Sequence, residues 1–268
     1  MSTTLSTPTA PAPEAARATG LRRHGGVNAT FLGIELRRLL RNRRTVIFTL
    51  IMPPMFFLIF GTSGSYRTTS AGNGNVTAYV MISMALYGAM LATTSGGAMV
   101  SVERAQGWSR QLRLTPLRPS AYIAIKVSIA MVLGLASVVV VYLVGLAEGA
   151  QADVSVWIVT GLTAWIGSIV FAAFGLFMGY LLPAENVMQL LGPALAVLSF
   201  AGGLFVPLGD GVFATIGKVT PLYGLAELVR APLVGTGVTF TSVANVVVWA
   251  AVFGAGAVWR FRHDTARV

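Results

Sequence analysis

Six long apolar stretches constrain the fold of this chain more than any other feature of its sequence. They cover residues 45–61, 77–100, 122–147, 156–182, 187–207 and 241–259. A helix that crosses about 30 Å of hydrocarbon needs roughly 20 such residues. Only 10% of the residues are charged, against roughly a quarter in a soluble domain. The sequence therefore predicts an all-α integral membrane protein with six transmembrane helices.

The positions of the basic residues predict how these helices are oriented. Of the 19 Lys and Arg residues, eight precede residue 45, five lie within 101–126 and three follow Trp259. Only Arg67, Lys218 and Arg230 fall on the other side. Because cytoplasmic loops carry the excess of Lys and Arg, both termini are expected in the cytoplasm. The membrane is expected to be a bacterial plasma membrane. The net charge of +10 flanks the membrane, so nucleic acid is not an expected partner.

The polar segments divide the chain further. Residues 1–27 are rich in Thr, Ala, Pro and Ser and are expected to form a disordered cytoplasmic tail. Residues 28–44 alternate apolar and basic side chains at helical spacing, which predicts an amphipathic helix on the inner membrane surface. The six-helix domain covers 45–259, and 260–268 form a second cytoplasmic tail. Within 208–240, an interrupted apolar run predicts a short re-entrant helical hairpin on the outer side before the last span.

The spans lack the side chains that ion coupling or catalysis within the membrane would require. They contain no Asp, Glu, Arg or His, and Lys126 is expected to extend toward the cytoplasmic surface. The chain has no Cys, and its two His residues, His24 and His263, lie in polar termini, so no metal site is expected. The sequence therefore shows neither the site that ion-coupled carriers usually need nor the catalytic residues of an intramembrane enzyme.

A phosphate-binding loop is also missing from the sequence. The Gly-Lys pair Gly217-Lys218 has Val212 and Val219 where that loop requires Gly and Ser or Thr. The chain is therefore expected to be no enzyme and to hold no cofactor. If it pumps, a cytoplasmic partner must supply the energy.

The largest internal loop carries the residues that point to such a partner. Its Trp108, Leu112 and Leu114 suit a short amphipathic helix that ends at Pro116 and can dock into a groove on another protein. The alternative is that the loop is basic only because internal loops are basic.

This loop resembles the cytoplasmic gate and coupling helix of the type-2 ATP-binding-cassette exporter permeases, including the daunorubicin-resistance-like drug-efflux permeases. The residues that carry the resemblance are Glu103-Arg104, Gly107, Leu112 and Thr115-Pro116-Leu117. Trp108 stands where many members carry Thr. The 28–44 helix resembles the connector helix of the family. The residues that resemble its outer hairpin are Thr220-Pro221-Leu222-Tyr223, Glu227 and Arg230.

The resemblance implies a half-transporter. Two permease chains, identical or different, would pair in the lipid above two separate ATPase subunits that bind ATP and Mg, and would export a lipophilic drug, antibiotic or lipid. Glu103 would orient the gate helix through a salt bridge, and Gly107 would permit close approach of the ATPase. The implied contact comprises Glu103, Arg104, Gly107, Trp108, Leu112, Leu114 and Pro116.

Two further sets of residues are candidates. Glu185 and Asn186, in the short inner turn before the fifth span, are a possible second ATPase contact; the alternative is a helix cap formed by Asn186. Aromatic residues of spans one, two and five suit a path for a lipophilic substrate, although any of them could simply face lipid or the protein core. These residues are Phe56, Phe57, Tyr79, Tyr87 and Phe200.

Three functions remain open from the sequence. The first is the exporter permease. The second is a channel or ion-coupled carrier that works without an ATPase. The third is a scaffold or sensor subunit that recruits a cytoplasmic protein and transports nothing. In the fourth span, the pair Gly175 and Gly179 favours ordinary helix packing over a dimer contact.

Overall fold

The structure is a computed structural model, and it describes residues 33, 34, 37, 41, 46–107, 119–209 and 211–266. The predicted tail at 1–27, most of the predicted 28–44 helix and residues 108–118 of the internal loop lie outside these residues. Within residues 46–107, 119–209 and 211–266, a π-helical turn, Ile47–Ile51, leads into the first of nine α-helices. In order, these are α1 (Met52–Gly61), α2 (Val76–Ala105), α3 (Pro119–Ala147), α4 (Val154–Gly167), α5 (Ile169–Leu181), α6 (Ala184–Ala201), α7 (Val212–Val219), α8 (Tyr223–Val234) and α9 (Phe240–Ala266). The described residues form no β-strand.

Most of the predicted spans have the length and composition of membrane helices. Among the described residues, five segments qualify: α2, α3, α4 together with α5, α6 and α9. The first apolar helix, Ile47–Gly61, is shorter. An all-helical, multi-pass membrane protein is therefore confirmed. Six spans, the first of them short, stay a prediction.

Several helix bounds differ from those predicted. Helix α6 ends at Ala201, before the predicted 207, because Gly202 and Gly203 follow and Gly203 has a φ of +70°. Helix α9 continues to Ala266, so the predicted tail from residue 260 begins within a helix. Helix α2 continues to Ala105, which places Glu103 in a helix and not in the loop.

Prolines shape the first helix. Pro53 has no N–H, so the carbonyl of Thr49 lacks the helical hydrogen bond that this position would otherwise donate. Ser137 Oγ from α3 donates to that carbonyl at 2.8 Å, and both residues are buried. A side chain of another helix thus satisfies the backbone group that the proline leaves open, as Pro in membrane helices requires.

Helix α2 is the central helix, since neighbouring helices cover most of its length. Its contact with α5 depends on glycines: a Cβ at Gly175 would lie 2.1 Å from the Thr94 carbonyl oxygen, and one at Gly97 would lie 2.5 Å from that of Ala172. Gly179 likewise packs on Ala98. The Gly175 and Gly179 pair therefore packs two helices of one chain, as the helix-packing interpretation predicts.

Two short helices, α7 and α8, occupy the segment for which a helical hairpin is predicted. Helix α8 buries Leu225, Val229 and Leu233, and Leu225 packs where a side chain on Gly167 of α4 would clash. The hairpin's location in the outer leaflet stays a prediction.

Candidate functional site

An apolar cavity of about 790 Å³ lies between the first helix, α2 and α6. Its volume falls within the range of sites that bind drug-sized molecules, roughly 300–1,000 Å³. It occupies the end of the bundle where α1 ends and α2 begins, which the charge distribution predicts to be the outer end. We refer to it as the apolar cavity.

Four of the five predicted substrate-path residues line this cavity: Phe56, Tyr79, Tyr87 and Phe200. Phe57 does not. It is fully buried, and its ring occupies the space beside Gly61, where an added Cβ would lie 2.7 Å away. Adjacent residues of a helix point in directions about 100° apart, so Phe56 faces the cavity and Phe57 faces the core.

Aromatic rings form much of the cavity wall. Phe56 and Tyr87 stack with centroids 6.1 Å apart, and Phe205 meets Tyr87 edge to face at 4.9 Å. Phe200 packs on Phe205 in the same way, at 5.0 Å. Sequence reasoning missed Phe205, although its place two residues after the Gly202-Gly203 pair could have suggested that the chain turns back toward α2 there.

A smaller polar pocket of about 190 Å³ adjoins the apolar cavity, and Tyr79 and Pro207 line both. Its polar lining comes from Lys218, Tyr223, Glu227 and Arg230. Burial raises the pKa of the Tyr223 hydroxyl, the Glu227 carboxylate raises it further, and Arg230 opposes both effects. We refer to this space as the polar pocket.

Arg230 is the buried charged residue of this pocket, with only 6% of the residue exposed. Its Nη1 donates to the Tyr79 hydroxyl at 2.6 Å and to the Gly203 carbonyl at 2.9 Å, and its Nε donates to the Ala226 carbonyl at 3.1 Å. Arg230 therefore joins α8 to α2 and to the chain after α6. Sequence analysis identified this residue only because the segment resembles the outer hairpin of the exporter permease family.

The other end of α2 carries a buried charge cluster, which we define as Glu103, Tyr122 and Lys126. Lys126 Nζ lies 2.5 Å from Glu103 Oε1, and the Tyr122 hydroxyl contacts Glu103 Oε2. The salt bridge expected for Glu103 is thus present. The prediction that Lys126 extends to the membrane surface is wrong, because this carboxylate holds it inside the protein, where it is 5% exposed.

Arg104, the next predicted contact residue, binds the end of α5. Its Nη1 donates to the carbonyl oxygens of Gly179 and Tyr180, and its guanidinium lies over the Tyr180 ring. Arg260 of α9 donates to the same Tyr180 carbonyl at 3.4 Å. These cations satisfy carbonyl groups that the end of a helix leaves without partners.

Gly107 follows α2 with a φ of +74°, a backbone conformation that favours glycine. Among the described residues, no atom other than those of Gly107 and its chain neighbours lies within 4 Å of a Cβ placed there, so the structure gives a conformational reason for glycine. Close approach of an ATPase at this residue stays a prediction. The other predicted contact residues, Trp108, Leu112, Leu114 and Pro116, lie outside the described residues.

The possible second contact lies at the start of α6. Glu185 and Asn186 are exposed. The cap position is Pro183, with no side-chain hydrogen bond, and α6 begins at Ala184. The alternative interpretation of Asn186 as a helix cap is therefore wrong, since Asn186 lies within the first turn. In the part of the chain that the structure describes, no group of three acidic or His side chains could hold a metal ion.

Comparison with known proteins agrees with this architecture. The family described as ABC-2 type transporter matches residues 29–234, a range that includes the apolar cavity and the charge cluster. Over 211 residues the chain is 29% identical to YvfS of Bacillus subtilis (strain 168), a protein provisionally named a transport permease. The aligned region covers 73% of this chain and 82% of that protein. The matched range is well over half of the chain, which is therefore a membrane-embedded transporter subunit that belongs to the ABC-2 type transporter family.

Proposed function

We propose that this chain is the permease subunit of an ATP-driven exporter. It moves a lipophilic or amphipathic compound, such as a drug, an antibiotic or a lipid, out of a bacterial cell. Two permease chains pair in the plasma membrane with their termini in the cytoplasm. Separate cytoplasmic ATPase subunits bind ATP and Mg, and this chain is itself no enzyme.

One observation carries the proposal: helix α2 reaches from the apolar cavity to the segment predicted to contact the ATPase. At one end, Tyr79 and Tyr87 line the cavity. At the other, Glu103 and Arg104 lie just before residues 108–118. A single 30-residue helix thus links the two regions that an ATP-driven permease must couple.

The contacts at the end of α2 would pass a displacement of the predicted ATPase-contact segment on to the neighbouring helices. Glu103 holds α2 to α3 through Lys126, and Arg104 holds α2 to α5 through the Tyr180 carbonyl. Three helices are therefore joined next to the predicted contact segment. A push on that segment would displace them together and change the cavity around Tyr87.

The first experiment is affinity purification of the chain from its native membranes in mild detergent. We expect a near-stoichiometric ATPase subunit to remain bound and to be lost on Leu112→Asp. The matched control is Val238→Asp, an apolar-to-acid change at an exposed residue of the predicted outer end, which should retain the subunit. Reproducible absence of an ATPase from the intact protein would overturn the proposal.

Reconstitution separates the remaining alternatives. Vesicles that contain the complex should transport a lipophilic dye only when ATP is supplied. Transport driven by an ion gradient without ATP would identify a channel or ion-coupled carrier. A stable complex with neither flux nor substrate-dependent ATPase activity would identify a scaffold or sensor subunit.

A further inference from the structure

The apolar cavity and the polar pocket share a wall. Tyr79 and Pro207 line both. The Tyr79 hydroxyl accepts from Arg230 Nη1 at 2.6 Å, and the guanidinium carbon of Arg230 lies 5.1 Å from the centre of the Tyr79 ring. One residue therefore presents its ring to an apolar space and its hydroxyl to a cation. A molecule that filled both spaces would need an apolar part and a polar part.

Arg230 has hydrogen-bonding capacity left for a ligand. A guanidinium group has five N–H donors, and three of those of Arg230 are used by Ala226, Tyr79 and Gly203. Within the described part of the chain, Nη2 makes no hydrogen bond; the Glu227 carboxylate lies 3.8 Å away, beyond hydrogen-bond distance. Two donors on a buried cation are thus available at the polar pocket.

The charges around the polar pocket favour an anion. Lys218 and Arg230 are its two cations, and Glu227 is its one acid. Lys218 is exposed, so it can reorient toward a ligand, whereas buried Arg230 is held in place by its three hydrogen bonds. A guanidinium with free donors recognises carboxylate, sulfonate and phosphate groups best. The pocket is large enough for one such group and too small for a drug-sized molecule.

We propose that the two spaces form one binding site for an amphipathic organic anion. Its apolar body lies among Phe56, Tyr87 and Phe205, and its anionic group binds Arg230 Nη2 and Lys218. The Tyr79 hydroxyl separates the two parts. This inference rests on the proposed function, because it names the chemical class of the transported molecule, but its test requires neither an ATPase nor flux.

The test compares two dyes that differ in a single group. 8-Anilinonaphthalene-1-sulfonate carries an anion, and N-phenyl-1-naphthylamine has the same rings without it. Fluorescence titration of the purified chain in phosphatidylcholine nanodiscs, with protein-free nanodiscs as the blank, should give about tenfold tighter binding of the sulfonate. Equal affinity for the two dyes would overturn the proposal.

Substitutions locate the anion. Lys218→Met should weaken sulfonate binding about fivefold and leave the neutral dye within about twofold, while Lys218→Arg should retain both affinities. Arg67→Met is the matched control, an exposed cation at the same predicted outer end that does not line the polar pocket. Phe200→Ala should weaken the binding of both dyes. If Lys218→Met changed neither affinity, or both equally, the anion would not lie in this pocket.

Arg230→Met should abolish the preference for the sulfonate, with thermal unfolding measured in parallel because Arg230 also joins three segments.

The same titration in phosphatidylglycerol nanodiscs identifies the source of the anion. Competition by this lipid indicates an anionic headgroup as the natural occupant, and unchanged affinity indicates a soluble amphiphile. Failure of the dye preference would leave the ATP-driven permease intact, and absence of an ATPase would leave the dye preference intact.

Discussion

Lys126 Nζ and Glu103 Oε1 lie 2.5 Å apart in a salt bridge whose two side chains are 5% and 4% exposed. Removal of one partner from a buried pair leaves an uncompensated charge, which lowers the free energy of unfolding by about 3–5 kcal/mol. We expect this loss for Lys126→Met and a comparable one for Glu103→Gln, which deletes the charge but keeps the side-chain shape. Unfolding of the purified protein in detergent measures it.

The double variant Glu103→Gln with Lys126→Met distinguishes the pair from two independent effects. Because neither charge remains, the double variant should lose less unfolding free energy than the sum of the two single losses, by about 1 kcal/mol or more. Additive losses would mean that the two side chains do not interact. An export assay on the double variant then asks whether the charge cluster also transmits movement.

Asn75 is a second buried junction, at the opposite end of α2. Its Oδ1 accepts from the amides of Ala78 and Gln151, and its Nδ2 donates to the carbonyls of Arg67 and Gly149. One side chain thus caps α2 and holds two loops. Asn75→Ala should lower the free energy of unfolding by about 2–4 kcal/mol, since several buried groups lose their partners.

Two further variants test this geometry. Asn75→Asp replaces the donating amide with an oxygen that faces two carbonyl groups, so it should be at least as harmful as the alanine. Asn73→Ala, which removes a single side-chain hydrogen bond to the Pro232 carbonyl, should lose about 1 kcal/mol. Aspartate stability equal to wild type would show that Nδ2 does not donate to those carbonyls.

Glycine at 175 permits a close contact between α5 and α2. Gly175→Ala places a Cβ 2.1 Å from the Thr94 carbonyl oxygen, a backbone atom that cannot rotate away. We expect the variant to lose about 1–3 kcal/mol or more. The control is Gly254→Ala in α9, where no described atom beyond the adjoining turns of α9 lies within 4 Å of the new methyl group. That change should be neutral or stabilising, because alanine is the better helix former. The two variants are compared by their yield of monodisperse protein and by their unfolding temperature.

The apolar spans were predictable because each is a local run of sequence long enough to cross a membrane. The partner of Glu103 was not, because Lys126 is 23 residues away and their contact depends on how α2 and α3 pack. Phe56 and Phe57 looked equivalent for the same reason, since only the rotation of α1 decides which one faces the core. The four hydrogen bonds of Asn75 likewise require two loops that the sequence does not place together.

Ser137 and Pro53 form a coupled pair through the Thr49 carbonyl. Ser137→Ala should lower the free energy of unfolding by about 1–2 kcal/mol, because this buried carbonyl loses the hydroxyl of α3. In a Pro53→Ala background the loss should be smaller, since the new backbone N–H at 53 can bond to Thr49. Ser128→Ala, which removes a hydroxyl bonded within its own helix, is the control. Equal losses of unfolding free energy in both backgrounds would show that the contribution of Ser137 does not depend on Pro53.

Phe57 is expected to contribute to stability, and Phe200 to substrate binding. Phe57 is fully buried, so Phe57→Ala should lower the free energy of unfolding by about 3–5 kcal/mol while the folded fraction keeps its apparent KM for a transported dye. Phe200 lines the cavity with 57% of its surface exposed, so Phe200→Ala should change stability little and raise the apparent KM. Unfolding measurements and ATP-driven dye uptake into inverted vesicles supply the two quantities. A raised KM with Phe57→Ala, or an unchanged one with Phe200→Ala, would move the substrate path away from this cavity, because only a residue that touches the substrate can alter its binding without altering the fold.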